Sequence, residues 1–232
     1  MYSYDSRIRY SEVDFDRNLT YFGLVNYMQD CSCFHSEEVG FGLDYLVPAN
    51  LGWFVTGYEI HINRMPKYAE KIKISTYPYN FKGMLANRMY AIENESGELL
   101  AYANSMWILM NLETTKPSRI PEDMKEAYGQ GPREDLVFEK RKLRPTEGQL
   151  KGSFTVNESY IDTNGHMNNS FYIDITNKFL PENMKLNSII IEYRKAAQLK
   201  DELEVFVAAL EDDAFQVILK KNDEVYTIVE YK

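Results

Sequence analysis

Ten consecutive residues, Tyr160-Ile161-Asp162-Thr163-Asn164-Gly165-His166-Met167-Asn168-Asn169, bring a carboxylate, an imidazole and three amides into one short bend. Each type has a chemical use. Asp162 and His166 could together activate a water or orient a reacting group. Asn164 could hold either of them or a substrate carbonyl, and backbone N–H groups at the start of a following helix could stabilise an oxyanion. That set suits acyl transfer or hydrolysis. Turn formation alone accounts for the Asn and Gly residues. It does not call for a histidine, nor for the pair Asn168-Asn169 at a helix start. The other two histidines read as structural: His35 lies in a helical stretch, and His61 alternates with Ile60 and Ile62 on a strand. Cys31, Cys33 and His35 could share a metal only on a strand, and helical spacing turns Cys33 away from the other two, so no metal site is expected.

The elements that must position this bend occur twice. Val13-Asp14 corresponds to Ile161-Asp162, and each is followed by a polar bend and a helix-like run, Tyr21 to about Phe41 in the first case and Ser170 to Leu180 in the second. In the first run Phe22, Val25, Met28 and Phe34 recur at helical spacing, with Gly40 and Gly42 as the stop. Strand-like stretches follow at Trp53 to Ile62, Glu70 to Tyr77, Leu85 to Ile92 and Leu99 to Leu109. The segment Glu59 to Arg64 matches Ile190 to Lys195, Glu70 to Ile74 matches Asp201 to Val205, and the hairpin Asn94 to Glu98 matches Lys221 to Glu224. Between the halves, Pro117, Pro121, Pro132 and Pro145 with Gly129, Gly131 and Gly148 predict a linker with few regular elements. The expected division is therefore a domain at 1–125, a linker at 126–150 and a domain at 151–232.

Composition bounds the partners. The 232 residues are 44% hydrophobic and 26% charged, enough to bury one or two cores. With 35 acidic against 26 basic side chains the net charge is -9, which disfavours nucleic acid and anionic lipid. No apolar run approaches the roughly 20 residues that cross a bilayer, and Met1-Tyr2-Ser3-Tyr4-Asp5 lacks the regions of a signal peptide. Cys31 and Cys33 build no disulfide framework. A cytoplasmic protein without nucleic-acid or membrane partners is expected.

The run from Asp162 to Asn169 followed by Tyr172 resembles the Asp-x-Asn-x-His-x-Asn-Asn-x-x-Tyr motif of the acyl-acyl carrier protein thioesterases. The similarity extends through Arg9 to Asp14, Tyr27 to Asp30, Gly52-Trp53, Ile62 to Pro66 and Ser105 to Trp107. It implies an α+β fold of two tandem hotdog domains, each a long helix wrapped by a curved antiparallel sheet, packed as a pseudo-dimer within a monomer or a homodimer. It also implies a thiolester hydrolase of fatty acid biosynthesis that needs no cofactor and whose partner is acyl carrier protein. Hydrolysis of acyl-CoA, or acyl binding without catalysis, are the alternatives. Asp162, Asn164 and His166 correspond to the family's catalytic positions; Asn168, Asn169 and Trp53 are expected to bind substrate, although an apolar aromatic such as Trp53 is more often plain core. An acidic carrier needs a basic surface despite the net charge, and Lys140, Arg141, Lys142, Arg144, Arg194 and Lys195 are the candidates.

One departure stands out. The plant pattern places Glu-Cys where this chain reads Ala196-Ala197, so a cysteine nucleophile is excluded there and the acidic helper is missing. Glu192, Glu12 or Asp16 are candidates to replace it. The first half has Asn18 or its neighbour where the second has His166, which leaves one active site per chain, with the first half free to hold the acyl tail.

Overall fold

β1 (Tyr2–Arg7) leads through a 3-10 turn into α1 (Tyr21–Glu38), whose start is fixed by the Thr20 hydroxyl accepting the Gly23 amide at 3.1 Å. Leu24, Val25, Met28 and Cys31 recur on one helical face and are fully buried against β1 and the sheet behind it. Each of the three larger side chains contributes roughly 1.5–3 kcal/mol on burial. The same face continues as Ser32, His35 and Ser36, whereas Phe34, expected inside, is exposed and stands edge-on to Tyr4. The helix stops before Gly40, which takes a positive φ of 79°.

After α2 (Leu43–Leu46) come β2 (Leu51–Ile62), β3 (Lys71–Lys82), β4 (Leu85–Asn94), β5 (Leu99–Asn111) and the short β6 (Lys116–Pro117). The sheet of this half runs β1-β3-β4-β5-β2, with β6 on β5. The segment expected to lack regular structure contains α3 (Glu122–Tyr128). Its breakers bracket a helix: Pro121 stands just before it and Gly129 closes it at a φ of 68°. Met124 and Tyr128 of α3 bury against Leu46, Ala86, Leu109 and Ile120.

The second half repeats the plan with β7 (Gln149–Thr155), α4 (Asn169–Thr176), β8 (Ser188–Tyr193), β9 (Glu202–Ala209), β10 (Phe215–Lys221) and β11 (Glu224–Tyr231). Its sheet order is β8-β11-β10-β9-β7, all antiparallel, and α4 packs on β11 through Thr176, whose hydroxyl meets the Tyr231 hydroxyl. The helical run is shorter than the expected Ser170 to Leu180, ending in a 3-10 turn at Asn177–Phe179. The compact units are Met1–Thr56 with Ile60–Phe138, and Gly57–Glu59 with Glu139–Lys232. This structure, a computed structural model, describes residues 1–129, 131–138, 142–181 and 184–232. In each unit a helix lies against an antiparallel sheet, which is the tandem hotdog arrangement. Among the described residues no helix is long and apolar enough to cross a membrane.

Candidate active site

The bend from Asp162 to His166 is a closed loop of backbone bonds. The Asp162 amide donates to the His166 carbonyl at 2.8 Å and the Gly165 amide to the Asp162 carbonyl at 3.0 Å. Oδ1 of Asp162 accepts the Asn164 amide at 2.8 Å and, more weakly, the His166 amide at 3.4 Å. Gly165 sits at a φ of 75°, where a glycine carries no steric cost. Asn164 is exposed, while His166 is half-buried with Nδ1 shut off from water.

The first unit holds a twin of this bend. The Asp14 amide donates to the Asn18 carbonyl at 2.8 Å, Arg17 donates to the Asp14 carbonyl at 3.0 Å, and Oδ1 of Asp14 accepts the Asn18 amide at 2.9 Å. Arg17 occupies the positive-φ place of Gly165. The bends are anchored alike as well: Leu19 donates to the Pro66 carbonyl at 2.7 Å where Met167 donates to that of Ala197 at 2.9 Å, and Thr20 donates to Glu12 where Asn168 donates to Tyr160. An aspartate at the first position is thus what the turn requires. The imidazole at the fifth is not, because Asn18 fills that place in the same frame.

Behind the bend, Asn168 caps α4, its Oδ1 accepting the Ser170 amide at 3.0 Å and the Ser170 hydroxyl at 2.8 Å. Its carbonyl takes the Phe171 amide. Of the first three amides of α4, only that of Asn169 makes no hydrogen bond among the described residues, which narrows the helix-start oxyanion site to one donor. The Asn168 Oδ1 therefore serves the helix start. Two residues absent from the sequence-level site fix this region: the Tyr193 hydroxyl donates to the Asn169 carbonyl at 2.9 Å, and the Tyr172 hydroxyl accepts the Ala197 amide at 2.9 Å. Burial pushes the Tyr172 phenol up to about 12 and raises that of Tyr193 well above the ordinary phenol value, so both remain protonated. Tyr172 stood in the motif; its bond to Ala197 had no signal in residue types, being made to backbone.

Ala197 is buried and ties the bend to Tyr172 through both its carbonyl and its amide, and Ala196 is exposed. Glu192 does not supply the missing carboxylate. Tyr193 faces α4, so its strand neighbour Glu192 points to the opposite face of β8. There Oε2 accepts the Leu143 amide at 3.1 Å and Oε1 pairs with Arg194 at 2.9 Å. Glu12 is likewise engaged, holding the Arg9 amide and the Tyr27 hydroxyl, each at 2.8 Å. Asp16 is exposed on the first unit's bend.

Trp53 lies in the first unit, half-buried and edge-on to Tyr128 with ring centroids 6.5 Å apart, beside the cluster of Leu46, Leu109 and Met124. Of the basic residues, Lys140 and Arg141 lie outside the described residues. Lys142 and Arg144 are exposed and their side chains make no hydrogen bond or ion pair among the described residues; Leu143 between them is buried against Ile218 and Ile228. Arg194 is spent on Glu192 and, at 2.8 Å, on the Leu143 carbonyl. Lys195 pairs with Glu224, which raises its pKa, and lies over the Tyr226 ring.

Residues 1–128 match the family model of the acyl-ACP thioesterase N-terminal domain, and residues 143–229 that of the C-terminal domain. A chloroplastic acyl-(acyl-carrier-protein) hydrolase of Cuphea viscosissima is 27% identical over 221 residues, covering 87% of this chain and 53% of that protein. A chloroplastic palmitoyl-acyl carrier protein thioesterase of Arabidopsis thaliana is 27% identical over 206 residues, covering 81% and 50%. The chain spans about half the length of these curated relatives. A crystal structure of an acyl-ACP thioesterase from Bacteroides thetaiotaomicron superposes with a TM-score of 0.89 at 26% identity, covering 99% of this chain and 96% of that one.

Proposed function

The chain belongs to the acyl-ACP thioesterase family, and from that premise we propose that it hydrolyses the thioester of an acyl group on acyl carrier protein, releasing a free fatty acid in fatty acid biosynthesis. His166 takes a proton from water as the water oxygen attacks the thioester carbonyl. The carbonyl oxygen, now negative, is held by the Asn164 side-chain amide and the Asn169 N–H. The C–S bond then breaks and the sulfur leaves with the proton from the imidazolium. Asp162 keeps Asn164 and His166 in register by binding their amides. The chemistry asks for no metal or organic cofactor.

The observation that carries this reading is the twin bend. The two bends share three hydrogen bonds with Asn18 standing where His166 stands, so the turn explains Asp162 but does not itself call for an imidazole at 166. Lys142 and Arg144 are the basic side chains available to an acidic carrier, and the first half, 1–125, holds the acyl tail. A cytoplasmic monomer or homodimer belongs to the same proposal. The test is release of free fatty acid from a panel of carrier-bound acyl chains, with Asp162→Ala and His166→Ala as controls.

Ala196 and Ala197 favour one rival, an acyl-binding protein without turnover. Bound acyl groups in the purified protein, no thioester hydrolysis, and no effect of His166→Ala would establish that rival.

A further inference from the structure

Arg88 of β4 is a buried cation with no anion beside it among the described residues. The residue is 8% exposed. Its Nη1 donates to His35 Nδ1 at 3.1 Å and to the Thr76 hydroxyl at 3.2 Å, and the guanidinium carbon lies 5.3 Å from the centre of the Tyr128 ring. All three partners are neutral. Burial, and then Arg88 itself, pushes the His35 imidazole down to about 3, so it serves as an acceptor. Among the described residues no carboxylate pairs with Arg88, and its Nε and Nη2 donate no hydrogen bond.

A guanidinium cannot escape burial by losing its proton, and buried charges in folded proteins are otherwise paired. The free Nε and Nη2 edge is the fork that a carboxylate meets with two parallel bonds. The surroundings select the rest of the ligand. Tyr128, which faces Arg88, also belongs to the apolar cluster on which the partly exposed Phe41, Trp53 and Phe81 pack. An inorganic anion would answer the charge but leave that wall unused.

We propose that the first unit binds an aliphatic carboxylate, its head on the free edge of Arg88 and its chain along Phe41, Trp53 and Phe81. This inference does not rest on the thioesterase reading, because it is tested by binding without turnover. Two sources share the chemistry, a free fatty acid and an acyl chain carrying a second, terminal carboxyl.

Calorimetry on the full chain compares decanoate, decanol, decanedioate and chloride. Two charge-assisted bonds predict decanoate binding at least about tenfold tighter than decanol, with that preference lost in Arg88→Met while decanol affinity stays within about threefold. Decanedioate tighter than decanoate identifies the doubly carboxylated chain as the source; the reverse identifies the free acid. Equal binding of acid and alcohol, a preference that survives in Arg88→Met, or chloride as tight as decanoate overturns the proposal. Should Arg88→Met fail to fold, the wild-type comparison decides, together with Arg88→Lys, which keeps the charge without the fork and is expected to bind decanoate more weakly than wild type.

Discussion

Replacing His166 by Asn gives the second bend the residue that the first already carries at the same place. The structure sets the expected cost to folding. Main-chain atoms of His166 hold the bend, its amide to Asp162 Oδ1 at 3.4 Å and its carbonyl to the Asp162 amide at 2.8 Å. Asn18 makes the corresponding bonds at 2.9 and 2.8 Å. The substitution is expected to cost less than about 1 kcal/mol, a shift in Tm under about 4 °C for a chain of this size. Loss of a general base is expected to lower kcat by about 10²–10⁴, or roughly 2.7–5.5 kcal/mol in the barrier. Asp162→Ala is the contrasting variant. It strips the acceptor from the Asn164 amide at 2.8 Å and from the weaker bond to His166, so it loses about 0.5–1.5 kcal/mol of stability as well as activity. The assay is fatty acid release with kcat and KM separated, beside thermal unfolding of the same preparations. Turnover within about threefold of wild type in His166→Asn would refute a role as base. So would a loss of activity that merely tracked a fall in Tm as large as that of Asp162→Ala.

Charge reversal at Lys142 and Arg144 is expected to raise KM for carrier-bound acyl groups more than for acyl-CoA, and equal effects on both would remove the docking role. Glu192→Gln is expected to lose about 1 kcal/mol of stability, since it weakens the hold on Leu143 and Arg194, with kcat unchanged. A fall in kcat without unfolding would make Glu192 the acidic helper after all. Arg64 holds Glu70 through two nitrogens at 2.7 and 3.0 Å, and this pairing keeps the Glu70 carboxyl below its ordinary range against the opposing effect of burial. Stability from that depression is present above the usual glutamate value near about 4.3 and is lost as pH falls through the lower folded value. Denaturant unfolding between about pH 3 and 5 should therefore show a shallower acid loss in Glu70→Gln than in wild type; identical slopes would count against the pairing.

What could be read in the residues was what residue type dictates. The Asp-Asn-His bend, the polar bend before each of the two helical runs and the repeated strand pairs all rest on side-chain chemistry or on periodicity, and the folded chain carries them. The misjudged places depended on tertiary context. Phe34 fits the helical spacing but falls on the outer face, because Ser32, His35 and Ser36 occupy the inner one around Arg88, Tyr90 and Tyr128. Pro121 and Gly129 read as breakers, yet they sit at the two ends of α3, where each is favoured. That Arg194 also holds the Leu143 carbonyl had no signal in residue types, because the bond is made to main chain.

Ala197 shows why the departure from the family pattern does not disturb the fold. Its place in the site is held by main-chain atoms, the carbonyl to Met167 and the amide to Tyr172, and in the first unit the Pro66 carbonyl likewise accepts the Leu19 amide with a different side chain at that place. A frame built from backbone bonds leaves the side chains at these positions open to change. The same freedom lets the first bend keep its geometry with Asn18 in place of an imidazole. The chemistry is therefore layered on a turn that folds without it. On the proposed mechanism the layer consists of Asn164 and His166, while Asp162 belongs to both the turn and the site.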